Sequence, residues 1–311
     1  MKEFYEKLDG LYGAGDLAAV EAFISDTVSG TPDNSPERAV LYNELAGFYR
    51  GVSRYAESED IFTKALGIFE DAGMSATPEY ATVLLNFAGL YRITGDTGKS
   101  IKLFLGAMKK LEDAGARDSY PFVSVLNNLA LAYRETGEYA QALEYAGRAL
   151  EIMRTGDGNE HEIAVSLNNL AAIHIRMNEF DAAAELISEA LEIYDGMAET
   201  NVHHAAALST NAVILCRSGD YRGALDGFRR ALELTRRFFG ENIEYAICRR
   251  NISDVCSLLG DIPAAIEELS DAVRVFTAIL GAEHPTVRDA RDKFELLQGK
   301  MFSFAGIHTG S

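Results

Sequence analysis

The chain has 311 residues, of which 48% are hydrophobic, and its 47 acidic side chains outnumber its 29 Lys and Arg to give a formal net charge of −18. Such a charge repels phosphate at long range, which argues against non-specific binding to nucleic acid or to an anionic membrane. No stretch approaches the roughly 20 apolar residues of a membrane span, and the N-terminus lacks the apolar core of an export signal. Three cysteines without metal-binding spacing fit reduced thiols, so we expect a cytoplasmic protein.

Residues 1–35 predict a degenerate helix pair that caps the N-terminus. Phe4 and Leu8 share one face of a first helix, residues 13–16 form a hinge, and a second helix covers 17–28. A polar stretch with glycine and proline (GTPDNS) then separates this pair from the rest of the chain. About 35 residues are too few to build a core of their own, so we expect the pair to cover the first full repeat.

From residue 36 onward the sequence repeats itself with a period of 41 or 42 residues. A small residue recurs in the first helix of each copy, at Ala46, Ala88, Ala130, Ala171, Ala212 and Ser253. An alanine recurs in the second helix, at Ala65, Ala107, Ala149, Ala190, Ala231 and Ala272. Two independent markers that keep one period over six copies predict stacked helix pairs, with boundaries near 36–77, 78–119, 120–160, 161–201, 202–242 and 243–283.

Each predicted helix pair has its own start and hinge signals. Ser35-Pro36 and Thr77-Pro78 combine a capping side chain with a proline suited to the first helical turn. The hinge between the two helices is glycine or asparagine in five copies, because these residues accept the left-handed backbone that ends a helix. Ser53 replaces them in the first copy, so we expect that hinge to be looser or differently shaped.

At the C-terminal end, residues 284–300 predict a single helix that covers the last repeat. Four apolar residues share one of its faces: Val287, Ala290, Phe294 and Leu297. For the tail at 301–311, packing against the last repeat and disorder both remain open.

The third and fourth copies begin with the same five residues, Leu-Asn-Asn-Leu-Ala, at 126–130 and 167–171. Followed by YR-x-x-G-x-Y and a later A-L-x-I, this pattern resembles the tetratricopeptide repeat, and the longer period resembles its kinesin-light-chain-like subtype. The resemblance covers about residues 36–300. It implies an all-α fold, a right-handed superhelical α-solenoid of stacked antiparallel helix pairs, with about six repeats plus caps. It also implies that the first helices line a concave groove.

Polar residues at recurring first-helix positions are candidate ligand contacts. Asparagine offers a donor and an acceptor to the backbone of an extended peptide, and arginine recognises carboxylates. The candidates for peptide binding are Asn86, Asn127, Asn128, Asn168, Asn169 and Asn251, together with Arg50, Arg92, Arg134, Arg176 and Arg217. A second interpretation remains open, in which the asparagines bond neighbouring first helices and fix their stacking while the arginines pair with acidic side chains.

The sequence therefore predicts a scaffold, monomeric or weakly self-associating, that holds a protein or peptide segment in an Asn/Arg-lined groove. Two other functions remain open: a sensor of signalling peptides or regulatory adaptor, and an assembly scaffold that binds folded partners through its outer faces. Motifs for catalysis, metal binding and cofactors are absent, so we expect neither an enzyme nor a metal or cofactor site. The first-helix lysines of chaperone-tail clamps are also missing, which argues against that class of adaptor.

Overall fold

The computed structural model describes residues 1–156, 159–197 and 201–308, with side chains as far as Met301. Within these ranges the chain forms α-helices and no strand, and none of the helices has the length and apolar run needed to cross a membrane. The chain divides into two compact units, Met1–Ala198 and Glu199–Ser311. The helices of the first unit are α1 (Lys2–Ala14), α2 (Leu17–Ser29), α3 (Pro36–Gly51), α4 (Tyr55–Asp71), α5 (Pro78–Ile93), α6 (Thr97–Asp113), α7 (Tyr120–Thr136), α8 (Tyr139–Arg154), α9 (Glu160–Arg176) and α10 (Phe180–Gly196). Those of the second are α11 (Val202–Ser218), α12 (Tyr221–Phe239), α13 (Ile243–Leu258), α14 (Ile262–Leu280) and α15 (Pro285–His308).

In the first unit, the marker alanines lie at the contact between the two helices of each pair. Ala46 and Ala88 have no exposed surface, because the second helix of the pair crosses directly over them. There the hydroxyl of Ser58 donates to the carbonyl of Ala46 at 2.8 Å, and the hydroxyl of Ser100 donates to that of Ala88 at 2.9 Å. A larger side chain at a marker position would separate the helices, which explains why small residues keep the period.

The first helices of the first unit form one continuous face, which we call its inner face. Neighbouring first helices contact one another directly, in the pairs α3–α5, α5–α7 and α7–α9. The second helices of neighbouring repeats barely touch within the described residues, and each instead contacts the first helix of the next repeat. The N-terminal pair packs onto α3 through a small core that contains Phe4, Leu8 and Ile24.

The hinge at Ser53 differs from our expectation. Ser53 has a φ of 63°, close to the 83° of Gly137, so its backbone adopts the same left-handed turn. The amide of Arg54 donates to the carbonyl of Tyr49 at 2.7 Å and closes the turn. A side chain in this conformation costs about 1–2 kcal/mol, and the packing of the two helices outweighs that cost. The prediction of a looser first hinge was therefore wrong.

The second unit contains two helix pairs and the final helix α15. Its core combines Phe228, Tyr245 and Phe276 with Val287 from α15. The final helix continues to His308, beyond the predicted end at residue 300, so the prediction of a separate tail from 301 was wrong as far as His308. A glycine inside a helix costs only about 1 kcal/mol, so Gly299 does not end it, and no proline follows. Residues 309–311 lie outside the described part of the chain.

Candidate binding groove

The inner face of the first unit carries hydrogen bonds between asparagines of neighbouring first helices. Asn86 Nδ2 on α5 donates to Asn43 Oδ1 on α3 at 2.9 Å. Asn169 Nδ2 on α9 donates to Asn127 Oδ1 on α7 at 3.0 Å. In both cases the donor stands two residues before its marker alanine, and the acceptor stands three residues before the marker of the preceding repeat. The same register therefore pairs repeats one with two and three with four.

Asn127 and Asn169 are enclosed between α7 and α9. Each is only 5% exposed, and Asn127 Nδ2 also donates to the hydroxyl of Ser166 at 3.0 Å. Their hydrogen bonds are therefore directed at the adjacent helix. The hydrogen bonds of Asn86, Asn127 and Asn169 are those of the stacking interpretation, in which asparagines join neighbouring first helices.

Asn128 differs because the residue facing it in the preceding repeat is Leu85, which has no side-chain acceptor. Its Nδ2 donates instead to the carbonyl of Ser124 in its own helix at 2.9 Å. Among the described residues, its Oδ1 accepts no hydrogen bond, and the side chain is partly exposed. Asn128 is therefore an inner-face amide of this unit that the stacking bonds leave available.

Four other candidate residues lie outside this bonded set. The Asn168 Oδ1 on α9 is buried without a hydrogen-bond partner among the described residues. Arg176 is exposed at the end of α9. In the second unit, Asn251 is partly exposed on α13, and Arg217 is exposed near the end of α11.

Arg50 crosses from α3 to the main chain of α5. Its Nη1 donates to the carbonyl of Asn86 at 2.9 Å, and a methyl group at Gly89 would lie 2.7 Å from that nitrogen. Burial, with a smaller contribution from the nearby Arg92, lowers the pKa of Arg50 to about 10. Sequence analysis did not single out Gly89. A glycine inside a helix, nearly one repeat period after an arginine, was a signal that could have indicated this close approach.

Arg92 and Arg134 lie on either side of a single carboxylate on α7. Arg92 Nη1 is 2.6 Å from Glu135 Oε1, and Arg134 Nη2 is 3.8 Å from the same oxygen. The two arginine side chains are 18% and 23% exposed, so water screens them less than it screens fully exposed groups. Glu135 follows Asn128 by seven residues and shares its helix face. Two guanidinium groups and one carboxylate therefore lie beside the available amide.

Comparison with known proteins gives the family. The sequence matches the family described as Tetratricopeptide repeat over residues 37–112, 122–196 and 203–278. The protein belongs to the tetratricopeptide repeat family. This confirms the predicted all-α class of stacked helix pairs. No curated protein matches the sequence.

Several solved structures resemble this tetratricopeptide repeat protein in fold. BtubC (BKLC) from P. vanneervenii is 21% identical with a TM-score of 0.51, and the match covers 76% of this chain and 94% of that one. NprR in complex with its cognate peptide NprX is 14% identical with a TM-score of 0.64, over 96% and 87% of the two chains. A Rap protein complexed with competence and sporulation factor is 15% identical with a TM-score of 0.58, over 97% and 99%. At these identities the likeness shows a shared fold.

Charge is distributed unevenly between the helices of this tetratricopeptide repeat protein. The six first helices, α3 to α13 in odd numbers, carry eight acidic residues and eight arginines, so they are neutral in a chain of net charge −18.

The N-terminal end of the inner face differs from its middle. There Glu44 accepts hydrogen bonds from the Tyr5 hydroxyl and from Asn43 Nδ2, both at 3.3 Å. Burial raises the pKa of Glu44 above its usual value.

Proposed function

We propose that this protein binds an extended acidic peptide, or an equivalent segment of a partner protein, on the inner face of its first unit, and that it acts by binding alone. The observation that carries the proposal is the group on α5 and α7. Arg92 and Arg134 share one carboxylate, Glu135, next to Asn128, the amide that makes no stacking bond. Their guanidinium groups offer paired hydrogen bonds to a carboxylate of a ligand.

Each side chain has a separate task in the proposed complex. Asn128 offers its Oδ1 and a free N–H to the ligand main chain, which holds an extended segment without selecting its side chains. Arg134, whose side chain is 23% exposed, binds a ligand carboxylate. A single hydrogen bond contributes about 1 kcal/mol net, so useful affinity needs several such contacts along the face. The complex of NprR with its peptide supports the proposal, because a similar fold accommodates a peptide in that protein.

Peptides selected from a displayed random library against the full chain test this proposal. The affinity of a selected peptide is measured by fluorescence anisotropy for the wild type and for the double variant Asn128→Ala with Arg134→Ala. We expect selection of acidic sequences and a loss of at least about tenfold in affinity, or about 1.4 kcal/mol. The matched control, Gln141→Ala with Arg148→Ala, removes an amide and a guanidinium from the second helix α8.

The control also separates this proposal from the outer-face scaffold. If the α8 variant weakens binding and the α7 variant does not, the partner uses the second helices and our assignment of the inner face is wrong. Selection of peptides without acidic residues would refute the role given to Arg92 and Arg134. Circular dichroism of each variant excludes unfolding as the cause of a lost affinity.

A further inference from the structure

The second unit carries a concentration of arginine on α12. Five arginines and two acidic residues lie on this helix, although the chain as a whole has a net charge of −18. Arg229, Arg236 and Arg237 share one helix face with Leu232 and Glu233, because their spacing is three, four, seven and eight residues. All three arginines are exposed. Within the described residues, Arg229 and Arg236 form no ion pair at 4 Å or less, so their charge is not neutralised locally.

This face of α12 forms one wall of a surface cleft with α13. The cleft has a volume of about 380 Å³ and is lined by the three arginines together with Leu232, Tyr245 and Arg249. A second cleft of about 710 Å³ begins at Arg236 and continues along α14 toward Phe294. Leu232 gives the first cleft an apolar floor and packs against the core that contains the Tyr245 ring, which is only 1% exposed. The arginines form the rim.

Arg249 holds the floor in place and does not add to the positive charge. Its Nη1 is 2.6 Å from Glu268 Oε2, its Nε is 3.1 Å from Asp271 Oδ2, and its Nη2 donates to the Tyr245 hydroxyl at 2.8 Å. These bonds neutralise the guanidinium and fix α13 on α14. Among the described residues that line the cleft, the positive charge therefore comes from Arg229 and Arg236 on α12, beside the carboxylate of Glu233.

We propose that this cleft docks an acidic segment of a partner protein, with carboxylates on Arg229 and Arg236 and an apolar side chain on Leu232. The guanidinium fork matches a carboxylate with two parallel hydrogen bonds. A polyanion such as nucleic acid, or an anionic membrane, would meet repulsion from the rest of the chain, whereas a short acidic segment brings few charges. An apolar floor of this size fits one large side chain, which a nucleic-acid backbone does not supply.

A labelled model peptide of the sequence Asp-Glu-Phe-Asp-Glu-Leu serves as the probe, titrated against the full chain by fluorescence anisotropy. Its matched control has Asn and Gln in place of Asp and Glu. We expect the acidic peptide to bind, and the double variant Arg229→Gln with Arg236→Gln to weaken it by at least about tenfold. Arg222→Gln with Arg230→Gln removes two arginines from the same helix outside the cleft, and we expect a change of less than about threefold.

A gain in affinity provides a second test, because Glu233→Gln removes the one carboxylate at the rim and should tighten binding by about two- to fivefold. The inner face is also proposed to take acidic peptides, so the titrations are repeated in the inner-face variant Asn128→Ala with Arg134→Ala. The loss caused by Arg229→Gln with Arg236→Gln should persist in that variant, which keeps the two proposed sites distinguishable. Equal losses in the two α12 double variants would reduce the effect to general charge and overturn the proposal. Equal binding of the amide peptide, or equal binding of a single-stranded DNA oligonucleotide, would overturn it as well.

Discussion

Replacing Asn169 by alanine is expected to destabilise the contact between the third and fourth repeats by about 1–2 kcal/mol. The substitution removes the 3.0 Å hydrogen bond to Asn127 Oδ1 and leaves that oxygen buried without its donor. An unsatisfied buried acceptor costs about 1–3 kcal/mol, and the better helix propensity of alanine returns about half a kcal/mol. Asn128→Ala, at the matching position of the third repeat, loses only a bond to its own helix. It should change stability by less than about 0.5 kcal/mol.

The assay combines denaturant unfolding of the full chain with hydrogen exchange of the α7 and α9 amides, because repeat stacks do not always unfold in one step. A double-mutant cycle of Asn127→Ala with Asn169→Ala should show a coupling of about 1 kcal/mol, since either single change already breaks the shared bond. If Asn128→Ala destabilises the protein as much as Asn169→Ala, the distinction between stacking and available amides is refuted. Additive single effects in the cycle would refute it too.

Three further predictions concern the first unit. Ser53→Gly should raise the unfolding free energy by about 0.5–1 kcal/mol, because glycine adopts the left-handed backbone without strain. Gly137→Ala should lower the unfolding free energy by about 1–2 kcal/mol for the opposite reason. Thermal unfolding measures both changes, and changes of the same sign would contradict the prediction. Glu44→Gln should stabilise the fold at neutral pH and lose this advantage below about pH 4. The pKa of Glu44 is higher in the folded than in the unfolded protein, so the wild type loses stability as the pH rises through the folded-state pKa, whereas glutamine stays neutral. Urea unfolding at the two pH values checks this, and a pH-independent difference would refute it. Leu85→Asn should give Asn128 a stacking partner and weaken binding of the selected peptides as much as Asn128→Ala does. The substitution should cost about 1–3 kcal/mol in stability, because it places an amide in an apolar environment. Retained peptide affinity would refute the reasoning.

The repeat period could be predicted because packing imposes it. Ala46, Ala88 and Ala130 are completely buried where two helices cross, so the requirement for a small residue leaves its trace in every copy. The extra length of α15 could not be predicted, because a glycine such as Gly299 weakens a helix without ending it. The conformation of Ser53 was missed for a similar reason, since a strain of about 1 kcal/mol is small beside the packing of two helices.

Which asparagines form stacking bonds and which stay available could not be predicted from any single helix. Asn128 and Asn169 occupy the same position in repeats that begin with the same five residues, but they differ in what stands one repeat earlier. Asn169 donates to the amide of Asn127, whereas the position that corresponds to Asn127 one repeat before Asn128 is occupied by Leu85. Similarly, Arg249 adds no net charge to the α12 cleft because it pairs with Glu268 in another helix. Such properties depend on partners distant in sequence, which periodicity does not identify.

The staggered register of the asparagine bonds has a consequence for how such an array can be shortened or recombined. Each bond runs from a donor in one repeat to an acceptor in the repeat before it, so neighbouring repeats are not interchangeable units. Deleting one whole period, residues 78–119, would place Asn128 opposite Asn43 in place of Leu85. The shortened protein would join its repeats more firmly and lose its available amide, so the order of repeats determines where the stack can accept another molecule.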